Sequence, residues 1–362
     1  MTRILIFYSK TGAGHLRSAE AVADHLKKID QSLNIQLVDG LAINNFGKST
    51  YPERIFHHFS TRLLFLYNFL YVVLNNFIGV FILRSVVKLF WGQALKKVVD
   101  QFKPDLIITT HPAISPAVLS HIGAPFVVVC VDLGQPHRLW FDQKADYIIV
   151  ADHLVKNHAE KFATPEKIVV LGYPLREDFK TPASPHLPSG RILILGGGAG
   201  VGNIKKQTLS LTRAFPDKKF VAVCGFNQSL EKQLKEKNLP NLKVLGFVHH
   251  IPQLIAEADI VLTKAGPATL IEAAIMKTPI IITSWVVMQE KDNVDFIVNN
   301  KLGLYCPDIN RLPEAISTIY QNYSKYSHGE MELAGGSEQI AKFLLQNLIL
   351  LPKIHQQREA EK

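Results

Sequence analysis

Three glycine-bearing stretches of this chain carry side chains suited to chemistry. The first is Ser9-Lys-Thr-Gly-Ala-Gly-His15, running from an apolar strand into a helix, with Gly12 and Gly14 as its pivots. Glycine lets backbone approach a ligand closely, and a helix start offers free N–H groups that favour negative charge. His15 at the loop mouth suits a general base near neutral pH. The helix N-terminus is expected to lower its pKa and keep it neutral. A capping or merely solvated histidine fits the same position. The second stretch is Gly196-Gly-Gly-Ala-Gly-Val-Gly202, also between a strand and a helix. The third is Leu262-Thr-Lys-Ala-Gly-Pro-Ala-Thr-Leu-Ile-Glu-Ala-Ala274, followed by Met288-Gln-Glu-Lys-Asp-Asn293. Lys264-Ala-Gly-Pro267 reads as a turn after a buried strand. Pro267 fits the first helical turn, where a missing N–H costs nothing. The N–H groups beside Gly266 and Pro267 form an anion site, and Glu272, further along, is placed to accept from a ribose. That arrangement suits a nucleoside diphosphate with an attached sugar; an ordinary strand–helix turn would look similar. Neither glycine loop is followed by Gly-Lys-Ser/Thr, and no acidic residue closes the strand after the second, so ATPase and dehydrogenase fingerprints are unmet.

These loops need strands and helices to hold them. In the first half, apolar strands at 3–8, 35–38, 105–109, 125–131 and 146–150 alternate with helices that include 15–29 and 152–162. Residues 181–190, rich in Pro and Ser, read as a linker. The pattern restarts with strands at 191–195, 219–224, 242–245, 259–262 and 279–283, and helices near 203–214, 228–237, 250–257, 267–277 and 290–300. Residues 324–338 read as a loop, and a final helix near 336–349 is expected to return to the first domain. The prediction is an α/β chain of two doubly wound domains, 1–175 and 190–335, with 336–362 on the first. A ligand cleft is expected at the carboxyl ends of both strand sets, where His111 and Asp132, with His137, also end strands. His249 and His250 read as solvated.

With 362 residues the chain is long enough for two cores. Its 40 Lys+Arg against 31 Asp+Glu give a net charge of +9, which favours anionic partners. Cys130, Cys224 and Cys306 show neither metal spacing nor a disulfide framework, pointing to a reducing compartment. The first strand begins at Arg3, so no signal peptide is expected before it.

Between Arg62 and Arg84 no residue is charged. The run Leu63–Leu83 has the length of a membrane span. It contains Asn68, Asn75 and Asn76 and interfacial aromatics such as Tyr67, Tyr71, Phe77 and Phe81. It also lies between strands of one sheet, which a span would separate. The expectation is a two-helix excursion broken near Asn75-Asn76 that dips into one leaflet, with Arg54, Arg62, Arg84, Lys88, Lys96 and Lys97 near anionic head groups. A pair of core helices is the alternative. No clustered basic–aromatic patch marks a nucleic-acid binder.

Together the motifs resemble the glycolipid-forming glycosyltransferases that include plant monogalactosyldiacylglycerol synthases and bacterial processive diacylglycerol glucosyltransferases. The enzyme that adds N-acetylglucosamine to the lipid-linked peptidoglycan precursor is a more distant likeness. The resemblance runs through Ser-x-Thr-Gly-x-Gly-His at 9–15, Thr-His-Pro at 110–112, Val-Asp-Leu-Gly at 131–134, Gly-x-Pro-x-Arg at 172–176 and Leu-Gly-Gly-Gly at 195–198. It continues through Cys-Gly-x-Asn at 224–227, Gly-Phe-Val at 246–248, Thr-Lys-Ala-Gly-Pro-x-Thr at 263–269 and Gln-Glu-x-x-Asn at 289–293.

The resemblance implies a GT-B fold and an inverting transferase that moves a hexose from UDP-glucose or UDP-galactose to diacylglycerol or a related lipid. It implies His15 as the base, with Gly12, Gly14, His111 and Asp132 on the acceptor side. On the donor side it implies Gly197, Gly198, Asn227, Lys264, Gly266, Pro267 and Thr269 around the UDP, and Glu272 at the ribose. Backbone near Phe247 and Val248 would meet the uracil, Gln289 and Glu290 would read sugar hydroxyls, and Asn293 would support them. Fixed dipoles stabilise the leaving UDP, so no essential metal or cofactor is expected. The implied location is peripheral, on the cytoplasmic face of the cell membrane, with no nucleic-acid partner. In Lys10 the chain departs from the family's Ser-Asp-Thr-Gly-Gly-Gly-His loop, and Asp132 is a candidate for the vacant acidic role. Lys10 also suits an anionic acceptor, polyprenyl-linked or phospholipid. A membrane-bound UDP-sugar sensor without turnover is the remaining alternative, whereas a UDP-sugar epimerase leaves segment 63–83 without a purpose.

Overall fold

The computed structural model describes residues 1–10, 13–43, 64–119, 123–179, 182, 187–198, 200, 202–285, 290–328 and 336–347. Gly12, Gln289, Arg54, Arg62 and half of the expected linker lie outside the described residues. The chain forms two compact units, Met1–Glu177 with Gly335–Lys362, and Asp178–Ala334.

The first unit runs β1 (Arg3–Tyr8), α1 (Ala13–Ile29), β2 (Asn34–Asp39), α2 (Leu64–Val73), α3 (Phe77–Phe102), β3 (Leu106–Thr109), α4 (Pro116–Leu119), β4 (Phe126–Val129), β5 (Tyr147–Val150), α5 (His153–Ala159) and β6 (Ile168–Val170). Its six strands pair in parallel in the order β2-β1-β3-β4-β5-β6. The strands are continuous aliphatic runs because both faces are covered; Ile4, Leu5, Ile6 and Phe7 are all buried. Helix α1 turns Ala19, Val22, Ala23 and Leu26 inward, the spacing of one helical face.

In the second unit the order is β7 (Arg191–Leu195), α6 (Ile204–Ala214), β8 (Lys219–Val223), α7 (Gln228–Lys235), β9 (Leu242–Leu245), α8 (Ile251–Ala256), β10 (Ile260–Lys264), α9 (Pro267–Ile275), β11 (Ile280–Ser284), α10 (Lys291–Asn299), β12 (Gly303–Tyr305), α11 (Leu312–Gln321) and α12 (Tyr323–Ser327). Its sheet is again six-stranded and parallel, in the order β12-β11-β10-β7-β8-β9. Helix α13 (Gly336–Asn347) packs on α1 in the first unit, and Ser337 Oγ donates to the Leu175 carbonyl at 2.6 Å. At the amino end of β10, Asp259 accepts from the N–H groups of Ser189, Gly190 and Arg191 and from the Tyr320 hydroxyl at 2.6–2.9 Å, pinning the entering chain.

Three short elements differ from the sequence expectation. Strands β6 and β12 are edge strands of three residues, too short for a hydrophobic period to register. The expected loop at 324–338 contains the helical turn Tyr323–Ser327 and the start of α13.

The apolar run after β2 forms two helices, with Asn76 as the N-cap of α3; its side chain accepts from the Gly79 N–H at 3.0 Å. By length and composition α3 is able to cross a bilayer. It is nevertheless tied along its length to the first unit. Gly92 and Leu95 are buried, Trp91 Nε1–H donates to the Leu41 carbonyl at 2.8 Å, and Arg84 pairs with buried Asp142 at 3.6 Å. Strands β2 and β3 flank β1 in one parallel sheet, so the segments before and after the hairpin belong to the same unit. Phe77, Ile78, Phe81, Ile82, Val86 and Leu89 are exposed along one stripe of α3. Phe65, Phe69 and Val72 extend this apolar surface onto α2.

Candidate active site and donor site

His15 is the third residue of α1, and the β3 end fixes its ring. Its Nδ1 lies 2.6 Å from the Thr110 carbonyl oxygen. A carbonyl only accepts, so Nδ1 carries the proton and Nε2 holds the free lone pair. Thr110 Oγ1 returns a hydrogen bond to the His15 carbonyl at 2.9 Å. The ring meets His111 edge to face at 4.7 Å between centroids and lies 6.0 Å from Trp140. Burial lowers the His15 pKa to about 4, opposed by the Thr110 hydrogen bond. The sequence pointed to the helix N-terminus as the cause of neutrality; enclosure is the larger one here.

His111 is buried, and its Nδ1 accepts from the Ala113 N–H at 3.3 Å, leaving the proton on Nε2 of its neutral form. Burial, then the nearby His15, hold its pKa well below the usual value. Asp132 is buried too; its carboxylate accepts from Trp140 Nε1–H at 2.7 Å. It thus bears on His15 through an indole. Trp140 was not singled out from the sequence, since nothing local says that a residue of the β4–β5 loop packs against a histidine of α1. Gly14 lies in the first turn of α1 and is half-buried. Lys10 is exposed beyond β1, and its backbone N–H bonds the Asp39 carboxylate at 3.3 Å.

In the second unit the glycine loop after β7 and the loop after β8 interlock. Gly200 has φ +59°, and a Cβ there would sit 2.1 Å from the Cys224 carbonyl oxygen. Gly225 has φ +57°, and its Cβ would meet the Gly198 oxygen at 2.2 Å. Asn227 braces both loops: its Oδ1 caps α7 through the Leu230 N–H at 3.0 Å, and its Nδ2 donates to the Gly200 carbonyl at 3.3 Å. Both ends of its amide are therefore engaged within the loops.

Lys264 ends β10 and pairs with buried Glu290. Its side chain lies beside both turns. Cε would be 3.8 Å from a Cβ at Gly197, and Nζ 3.1 Å from one at Gly266. Gly266 is the N-cap of α9 and Pro267 its first residue; no side chain caps that end. Thr269 follows in the first turn, half-buried, and Glu272 is buried in the second. Buried Asn293 donates Nδ2–H to the Ala265 carbonyl at 2.7 Å, holding the turn before α9. Phe247 and Phe226 are exposed and stack at 4.2 Å with 13° between planes, while Val248 next to them is half-buried. Phe226, the variable residue of Cys-Gly-x-Asn, was missed as part of this feature. His249 edges onto Phe247 at 5.1 Å. Among the described residues no group of three or more His, Cys, Asp and Glu side chains converges as a metal site would require.

The two parallel sheets match solved GT-B structures. Acinetobacter baumannii MurG superposes with a TM-score of 0.60 over 96% of this chain and all of its own, at 15% identity. Os79 from O. sativa, in complex with U2F and trichothecene, gives 0.64 over 97% of this chain and all of its own, at 9% identity. A Neisseria meningitidis UDP-GlcNAc 2-epimerase bound to UDP-GlcNAc gives 0.59 at 14% identity, over 97% of this chain and all of its own. The fold class is therefore GT-B, and transferases share it with an epimerase.

Sequence comparison resolves the class further. Residues 15–175 match the monogalactosyldiacylglycerol (MGDG) synthase family, and residues 191–343 match the glycosyltransferase family 28 C-terminal domain. The chain belongs to the family 28 glycosyltransferases of the MGDG synthase type. The probable monogalactosyldiacylglycerol synthase 3, chloroplastic, of Oryza sativa subsp. japonica is 28% identical over 83% of this chain. The Spinacia oleracea monogalactosyldiacylglycerol synthase, chloroplastic, is 28% identical over 87%. The matched part spans 65% of the length of each of these two relatives.

Proposed function

We propose that this protein is an inverting UDP-hexose transferase that glycosylates a membrane lipid, with diacylglycerol as the acceptor. The observation that carries the reading is the state of His15. Its Nδ1–H is spent on the Thr110 carbonyl and its pKa is lowered to about 4, so Nε2 is a free base at neutral pH. The acceptor hydroxyl attacks the anomeric carbon of the donor sugar. His15 Nε2 takes the hydroxyl proton, the bond from the anomeric carbon to the diphosphate oxygen breaks, and UDP leaves. Attack opposite the leaving group turns an α-linked donor into a β-glycoside.

On this reading the diphosphate lies against Gly197, Gly198 and the N-terminus of α9 at Gly266–Thr269. Lys264 supplies the nearby positive charge, and these preset dipoles stabilise the leaving UDP without an essential metal. Glu272 takes the ribose, and the Phe247–Val248 backbone takes the uracil beside the stacked rings. Gln289 and Glu290 read the sugar hydroxyls. The exposed stripe of α2 and α3 seats the protein peripherally on the cytoplasmic face of an anionic membrane.

The match of residues 15–175 to the MGDG synthase family supports a lipid acceptor, and the exposed Lys10 favours a second reading in which that lipid carries phosphate. The test offers diacylglycerol in anionic vesicles with UDP-glucose or UDP-galactose, in EDTA, and follows lipids by mass spectrometry. A hexosyl-diacylglycerol absent with His15→Ala is expected. UDP release only with a phospholipid or polyprenyl acceptor would move the reading to the second acceptor. UDP binding without turnover on any lipid would leave the sensor.

A further inference from the structure

The α2–α3 hairpin and His15 grip opposite sides of one short loop. That loop, His137–Asp142, contains a 3-10 turn at Arg138–Trp140. On the hairpin side, the Tyr71 ring meets the His137 ring at 4.8 Å. Asn75 Oδ1 accepts the Arg138 backbone N–H at 2.8 Å, and the Arg138 guanidinium lies 5.7 Å from the centroid of Phe77. Arg84 of α3 pairs with Asp142 at 3.6 Å. Asp142 is fixed in turn by the N–H groups of Ala117 at 3.1 Å and Lys144 at 3.0 Å. On the other side, fully buried Trp140 bonds Asp132 and lies against His15. Close-packed interiors transmit displacement, and a buried indole moves only with its neighbours.

We propose that Tyr71, Asn75 and Arg84 are positioning residues for His15, acting through the 137–142 loop and Trp140. None of them touches the base. Together they set the wall that orients and encloses it. Because the same hairpin carries the exposed apolar stripe, seating it in lipid and setting the base become one event. The enzyme is then most active at a surface. The inference rests on the reading of His15 as the base and of the hairpin as the lipid contact, but its first readout needs neither.

That readout is the imidazole pKa of His15 in the full chain, followed by NMR on labelled histidine and assigned by comparison with His15→Gln. The titratable groups around the ring are His111 beyond β3 and Asp132 behind Trp140; on α1 itself the nearest charged residues in sequence are Arg17 and Glu20. In Asn75→Ala the Arg138 N–H loses its acceptor, the loop loosens and water reaches the ring. The His15 pKa should rise by about one unit towards the ordinary histidine value. Asn75→Asp, which keeps an acceptor oxygen, should restore it. In a Trp91→Phe, Trp285→Phe background, Trp140 emission should shift with Asn75→Ala. Turnover should fall about tenfold with the donor KM unchanged.

An unchanged His15 pKa and unchanged Trp140 emission in Asn75→Ala would overturn the proposal. A loss of turnover on vesicles with full turnover on a detergent-dispersed acceptor would also overturn it, leaving the hairpin as a membrane anchor alone. If His15→Ala remained active while Asn75→Ala still shifted the His15 pKa, the coupling would stand and the assignment of the base would fall.

Discussion

The tautomer of His15 is decided by one backbone carbonyl. Because Thr110 can only accept, the basic nitrogen of the imidazole is Nε2, and burial keeps it unprotonated over a wide range. The sign follows directly: lowering the pKa from 6.5 to about 4 means the base is lost only as pH falls through about 4. The acid limb of kcat is therefore expected near pH 4, and a limb near 6.5 would place His15 in water. Replacing His15 by Ala should cost at least about a hundredfold in turnover, the usual scale of a general base, while UDP affinity is kept. Near-normal turnover would take His15 out of the mechanism. On the donor side, Lys264 with Glu290 is the counterpart: a part-buried ion pair beside two glycine turns, where side chains larger than hydrogen would meet the lysine.

Two elements carry most of what makes these residues usable. The first is the pair of interlocked loops after β7 and β8. Gly200→Ala forces a Cβ into the Cys224 carbonyl at a positive φ, a strain of about 1–3 kcal/mol. It should weaken UDP binding and lower the unfolding midpoint of the second unit. Unchanged UDP affinity, read by calorimetry, would mean that the loop does not touch the donor. The second is the α2–α3 hairpin. Ile78 and Phe81 are exposed and solvent-facing, 68% and 66% accessible, so Ile78→Asp with Phe81→Asp should leave folding intact. Each large apolar side chain withdrawn from lipid costs about 1.5–3 kcal/mol, so vesicle partition should fall at least about a hundredfold. Equal co-sedimentation of variant and parent would return the stripe to solvent.

The molecule as a whole is basic, at +9, and among the described residues His111 and His137 of the N-terminal unit are buried. Vesicle binding should strengthen with anionic lipid and weaken with salt. His15, His111 and His137 all have lowered pKa values, with burial first among the causes. Their unfolded forms take up protons near 6.5 and the folded forms resist it. Their contribution to stability is thus complete above 6.5 and is lost as pH falls from there, towards about 4 for His15 and His137. Urea unfolding followed at Trp140 should show a lower midpoint at pH 5 than at pH 7.5. Equal midpoints would mean that these rings already take up protons in the folded unit.

Continuous aliphatic strands separated by glycine loops and amphipathic helices made two parallel sheets legible in the chain, because strands buried on both faces must be apolar throughout. The positions of His15, the Lys264–Pro267 turn and the break at Asn75-Asn76 were legible for the same reason: loop chemistry is local. Tertiary structure alone decided the rest. Trp140 meets His15 across more than a hundred residues, and Arg84 finds Asp142 across nearly sixty. Phe226 finds Phe247 only because β8 and β9 lie side by side. The pKa of His15 likewise depends on what encloses the ring, and enclosure is set by distant chain segments brought together, a quantity that no local pattern encodes.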